Sequence, residues 1–238
     1  MAAADRGAVR EVLADWAIRP ERGVIFDFNG TLSDDEPILL EVFTEIFAER
    51  LGYDLDAVDY DERLRGLTDR EIVETVVHQS GAGRGAVVEG LLALRAERYI
   101  AKVAEESPVR PGTVALVQRL AQAGVPMAVV TGAQQREVAH VLDGSPVGAY
   151  LSVVVTEEDV SRGKPDPEGF RLGASRLGLD PGGVLAFKDS VPGISAALAA
   201  GMLCLAVSPG GPSAELAAVA PGVVESLDPV LMDSLVGL

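Results

Sequence analysis

Gly23-Val24-Ile25-Phe26-Asp27-Phe28-Asn29-Gly30-Thr31-Leu32 decides the fold. An apolar run ends abruptly in the Asp27 carboxylate, and Gly30 follows closely. A buried parallel strand delivers a reactive side chain in this way to the carboxyl edge of a sheet, where open α/β folds bind ligands. A carboxylate placed there can attack an electrophile and form a covalent intermediate.

Outward from this string, short apolar runs alternate with amphipathic helical stretches. The runs cover residues 24–28, 125–131, 151–155, 184–187, 202–207 and 223–225; helical spacing covers 112–123, 168–177 and 192–200. Such alternation predicts a parallel sheet with helices on both faces. Gly124, Gly178 and Gly201 fall where helices should stop, and Pro111, Pro167 and Pro192 near helix starts. One long interruption breaks the pattern. Residues 34–107 carry helical spacing at 38–51, 69–79 and 87–104 and no strand. The expected organisation is an α/β core of residues 23–33 and 108–238, an all-helical insertion at 34–107, and an N-terminal extension, 1–22, with a short helix near 9–17. The insertion is expected over the carboxyl edge of the sheet, its turn-rich ends acting as hinges.

Composition narrows the partners. A formal net charge of -16 repels nucleic acid, and the arginines are scattered among acids rather than gathered in a basic patch. The single cysteine, Cys204, excludes an intramolecular disulfide and fits a reducing compartment. The first residues mix Ala with Asp, Arg and Glu, unlike a signal peptide, and no apolar run approaches the ~18 residues of a membrane span. The expectation is a soluble cytoplasmic protein, monomer or homodimer, with neither a nucleic-acid nor a membrane partner.

Three further strings carry chemistry. In Val129-Val130-Thr131-Gly132-Ala133, a hydroxyl and backbone N–H groups at a strand-to-helix turn could cradle a phosphate, although a helix-capping threonine looks the same. In Gly163-Lys164-Pro165-Asp166-Pro167, a lysine held between glycine and proline suits a point charge aimed at a developing phosphoryl charge. The chain has only three lysines, Lys102, Lys164 and Lys188, so a lysine here is not background surface composition. In Leu185-Ala186-Phe187-Lys188-Asp189-Ser190, the run ends in a hard oxygen ligand of the kind magnesium prefers.

In order and position, these four strings resemble motifs I to IV of the haloacid dehalogenase superfamily, most closely its helical-cap phosphatases of the phosphoglycolate phosphatase and β-phosphoglucomutase type. The resemblance covers both expected domains. It implies a Rossmann-like parallel sheet of order 3-2-1-4-5, a helical C1 cap, and Mg2+-dependent hydrolysis of a small phosphorylated metabolite through an aspartyl-phosphate. Carried over by motif, Asp27 is the nucleophile, Thr131 and Gly132 hold the phosphoryl group, and Lys164 supplies positive charge. Asp27, the Asn29 backbone carbonyl and Asp189 are the metal ligands. The segment Leu64-Arg65-Gly66-Leu67-Thr68-Asp69-Arg70-Glu71 resembles the substrate loop of the cap, with Arg65, Gly66 and Arg70 facing substrate. Thr68 and Glu71 also form a capping-box pattern.

Two residues depart from the family, both at the chemistry. Asn29 stands where those phosphatases carry the aspartate that protonates the leaving group and activates water. Asparagine cannot shuttle a proton at neutral pH, and losing such a group costs roughly 10²–10⁴-fold in rate. Lys188 stands where a glutamate is usual; together with the neutral Asn29 it makes the site three charges less negative and predicts weaker magnesium binding, unless its side chain snorkels to solvent. Slow catalysis with an acid borrowed from Asp34-Asp35-Glu36 is one reading. A dehalogenase- or phosphonatase-like reaction is another. The phosphonatase form is weakened because the only cap lysine, Lys102, lies away from the substrate loop. The dehalogenase form is weakened because those enzymes carry an aromatic residue at the +2 position and lack a motif IV of this type. The last is a catalytically impaired protein that binds a phosphorylated ligand or regulates. His78 and His140 lack partner motifs and are expected at the surface.

Overall fold

The computed structural model describes residues 3–65, 67–81, 85–105, 107–211 and 213–233. The chain begins with α1 (Ala3–Ala17) and β1 (Gly23–Phe26). Then come α2 (Glu36–Leu51), a short helical turn α3 (Ala57–Asp59), α4 (Asp69–Ser80) and α5 (Ala86–Glu105). The remainder alternates: α6 (Pro111–Gln122), β2 (Met127–Val130), α7 (Gln135–Asp143), β3 (Val153–Val155), α8 (Glu168–Leu177) and β4 (Val184–Lys188). It closes with α9 (Val191–Ala199), β5 (Leu203–Val207), α10 (Ala214–Val219), β6 (Val223–Val224) and a last helical turn. The chain divides into two compact units, Met1–Asp34 with Val109–Leu238, and Asp35–Pro108.

The first unit is a six-stranded, all-parallel sheet of order β3-β2-β1-β4-β5-β6, the expected order with one more strand at its end. Parallel strands buried on both faces read as unbroken apolar runs rather than alternating ones, and β1, β2 and β4 are buried along their whole length. Alternation still assigns the faces. Ile25, Ala128, Ala186 and Cys204 pack with Phe170 and Ala174 of α8 and Ile194 of α9. On α8, a Cβ at Gly173 would lie 2.7 Å from Val130, so that helix sits nearly on the strands.

The segment before β1 belongs to this unit rather than forming an extension. Its helix begins at Ala3, earlier than the sequence pattern shows, and packs on β5 and β6. Trp16 is fully buried, and its indole N–H donates to the carbonyl of Gly23 at 3.1 Å.

In the second unit, α2 buries Leu39, Val42, Phe43, Ile46 and Phe47, the spacing of one helical face. Phe43, Ile46 and Phe47 meet Ile72, Val73, Val76 and Val77 of α4 and Leu91 of α5 in one apolar cluster. The capping box expected at Thr68 and Glu71 forms. A π-helical turn over Tyr60–Leu64 was not legible in the sequence. No helix among the described residues is long and apolar enough to cross a membrane.

Candidate active site

The site follows from strand register. β1 pairs with β4 so that Phe26 lies beside Phe187, their rings stacked 5.5 Å apart. The next residue on each strand, Asp27 and Lys188, must then emerge side by side on the opposite face, because side chains alternate along a strand. The Asp27 amide donates to the Phe187 carbonyl at 3.0 Å, which carries the pairing one step further. That opposite face is covered by α8 and α9, so both side chains are buried, Asp27 to 4% exposure and Lys188 to 3%.

Two ammonium groups converge on the Asp27 carboxylate. Lys164 Nζ donates to Oδ1 at 2.7 Å and to the Val130 carbonyl at 3.3 Å, which ties the loop carrying Lys164 to the end of β2. Its charge also lies 5.7 Å from the Phe170 ring centre. Lys188 Nζ pairs with Oδ2 of the same carboxylate and donates to Asp189 Oδ1 at 2.5 Å. Burial pulls the Lys164 ammonium down to about 7, with the Asp189 carboxylate pulling the other way. Lys188 therefore does not snorkel; it faces the site.

Several small residues make this arrangement possible, and the sequence reading assigned them no role. Gly30 adopts φ +68°, and a Cβ there would lie 2.1 Å from Asp189 Oδ2. Thr31 is buried and donates its hydroxyl to Asp189 Oδ1 at 3.4 Å. The amides of Leu32 and Ser33 donate back to the carbonyls of Asp27 and Phe28, curling the loop around the end of β1. Gly193, in the first turn of α9, leaves room for the Lys188 stem. The signal for these residues was their place inside the motif strings.

The remaining expected residues are distributed as follows. Thr131, buried just beyond β2, accepts from the Ala133 amide at 3.0 Å, and its own hydroxyl proton can still donate to a ligand. Gly132 is exposed beside it. Asn29 is half-buried in the loop after β1, bridging to Ser33. Gly66 lies outside the described residues. Arg65 and Arg70, expected to reach for a substrate anion, are instead engaged by acids of their own unit. Arg65 pairs with Asp61 at 2.7 Å, and Arg70 donates to both carboxylate oxygens of Glu89, at 2.8 and 3.3 Å. The sequence could not show this, because Glu89 meets Arg70 only through the packing of α5 on α4. Arg70 also lines a cleft of about 510 Å³ with His78 and Glu89, within the helical unit and with no residue of the four motifs in its lining.

The acids that the sequence offers in place of Asn29 are also engaged. Asp34 accepts from Arg110. Asp35 is fully buried and accepts from the Tyr99 hydroxyl at 2.5 Å, and Glu36 accepts from that of Tyr60 at 3.2 Å. Lys102 pairs with Glu41 and Glu45, and His78 and His140 are exposed.

Comparison with known proteins agrees with this geometry. Residues 21–201 match the family model described as haloacid dehalogenase-like hydrolase. The chain belongs to this family. Protein CbbY of Cereibacter sphaeroides is 32% identical over 194 residues, covering 79% of this chain and 84% of the relative. Hexitol phosphatase A of Escherichia coli K12 is 31% identical over 189 residues, 79% and 83% of the two chains. Among solved structures, an Asp-to-Asn mutant of CbbY from Rhodobacter sphaeroides in complex with xylulose-(1,5)bisphosphate superposes with TM-score 0.76 at 28% identity, covering 87% of this chain and 95% of that one. These matches place the chain among the family's phosphatases, hydrolases of phosphate esters.

Members of this family generally use a divalent metal, usually Mg2+. The residues here do not fit one. Of the three oxygen ligands the motifs would supply, the carboxylates of Asp27 and Asp189 are both paired with Lys188. Among the described residues, no cluster of three His, Cys, Asp or Glu is placed to hold a metal ion. A cation between these two aspartates would meet an ammonium already there.

Proposed function

We propose that the chain hydrolyses a small phosphorylated metabolite, of the sugar-phosphate kind named for its relatives, through a phosphorylated Asp27. The observation that carries this reading is the Asp27 carboxylate at the end of β1, buried and paired with Lys164 and Lys188. A carboxylate has about four lone-pair sites, and two ammonium groups leave others to attack phosphorus. In the first step an Asp27 oxygen bonds to phosphorus and the ester P–O bond breaks. The departing alkoxide takes its proton from water, since Asn29 has none to give. In the second step water attacks phosphorus, the acyl phosphate bond breaks, and inorganic phosphate leaves a restored carboxylate. Lys164 and the Thr131 hydroxyl support the phosphoryl oxygens through both steps.

The test is a panel of sugar phosphates, phosphoglycolate and p-nitrophenyl phosphate, comparing the chain with Asp27→Ala. Turnover that depends on Asp27, with a phosphorylated protein trapped by acid quench, is the expected result. Activity that persists in the variant overturns the assignment.

A second reading is a phosphate-ligand binder that no longer turns over. Asn29 favours it, because the proton-transfer step has lost its carrier. Asn29→Asp separates the two: phosphatase activity in the variant with none in the parent identifies a disarmed enzyme.

A further inference from the structure

We infer that the Lys188 ammonium takes the place of the divalent cation, so that this site accepts a phosphoryl group without a metal. The inference rests on the reading of the Asp27 pocket as a phosphoryl site and adds which cation serves it. Lys188 Nζ lies between Asp27 Oδ2 and Asp189 Oδ1, the two carboxylates that the motifs assign to the metal. Strand register puts it there: β4 runs through Lys188, level with the first residue after β1. Its route is also built. A Cβ at Gly193 would come within 1.9 Å of Lys188 Cε and 2.4 Å of Cδ, so the stem runs along a groove that only glycine leaves open.

Charge makes the exchange exclusive. Asp27 and Asp189 are paired with Lys164 and Lys188, so a phosphate dianion meets carboxylates already partnered by lysines rather than bare ones. If a metal took both carboxylates, Lys188 would be left almost fully buried without a counter-charge, its stem against Gly193 of α9. An uncompensated buried charge is strongly destabilising. An ammonium has three donors. Two go to the carboxylates, and the third remains for a phosphoryl oxygen.

The experiment uses the full chain and two calorimetric titrations. Inorganic phosphate is titrated with EDTA present and again with saturating magnesium; magnesium is then titrated alone into the parent, Lys188→Glu and Lys188→Met, each checked for folding by its melting transition. We expect phosphate affinity in the parent to be the same in both buffers, where a coupled cation changes affinity roughly 5–150-fold. Magnesium binding is expected in the variants and not in the parent. Phosphate binding that requires magnesium, or magnesium binding to the parent as tight as to Lys188→Glu, overturns the inference, and the parent titrations decide this even if a variant fails to fold. The underlying reading fails separately. Turnover that stops in EDTA keeps the phosphatase and removes the metal-free site. Metal-free phosphate binding without a trapped phosphoprotein keeps the site and removes the covalent mechanism.

Discussion

Lys188 and Gly193 form a single fitted unit: a methyl group on the glycine would occupy the space of the lysine's Cε, 1.9 Å away. Gly193→Ala should therefore push Lys188 off Asp27 and overpack the seam between β4 and α9. We expect a loss of about 1–3 kcal/mol in denaturant unfolding and weaker phosphate binding in EDTA. Wild-type affinity in a stably folded variant would show that the ammonium does not serve the ligand.

Asn29→Asp restores a proton carrier in the loop that curls around Asp27. Turnover of a sugar phosphate should rise by roughly 10²–10⁴-fold, and that of p-nitrophenyl phosphate by less, because its leaving group departs without needing a proton. A variant as slow as the parent would place the missing catalytic element elsewhere, with Lys188 the next residue to change.

Burial pushes the Cys204 thiol up to about 12, Lys188 opposing weakly. Its folded form therefore keeps its proton over a range where the unfolded thiol, near 8.5, has lost it. The folded state binds more protons there, so stability falls as pH rises from about 8.5 toward 12 and is insensitive to this group below that window. Cys204→Ala should flatten the alkaline part of the curve. In the native protein at pH 8, a thiol reagent should label Cys204 only at the rate of unfolding; immediate labelling would contradict its burial.

Arg95 is the polar centre of the helical unit. It is 2% exposed, its guanidinium lies 4.9 Å from the Tyr99 ring centre, and Nε is 3.1 Å from Asp69. Arg95→Ala removes packing and a counter-charge together, and should cost about 2–4 kcal/mol. Hydrogen exchange of α4 and α5 would report it. Unchanged protection there would show that the unit is held by its apolar cluster alone.

The legible part of the molecule was the part written locally. Three of the four motif strings lie at strand ends and the one with Lys164 in the loop between β3 and α8, and the helix stops at Gly124, Gly178 and Gly201 all adopt positive φ. What stayed hidden depends on partners distant in sequence. The direction of Lys188 turned on whether a helix covers its face, and the space for it is visible only once Gly193 is seen against Cε. Asp35 is held by the hydroxyl of Tyr99, 64 residues on, a partner that local sequence does not show. The Arg70–Glu89 pair is hidden for the same reason, because helix packing rather than spacing brings Glu89 to it.

The sheet ends in its two shortest strands, three residues in β3 and two in β6, while the longer apolar strands lie inside. An unpaired strand edge is a template for another chain, and brevity is one way proteins blunt it. Mixed with other chains at high concentration, the folded protein therefore offers almost no backbone to pair with. Self-association through strand addition should arise only after β3 or β6 has detached, which makes the loss of an edge strand, rather than exposure of the core, the first step toward aggregation.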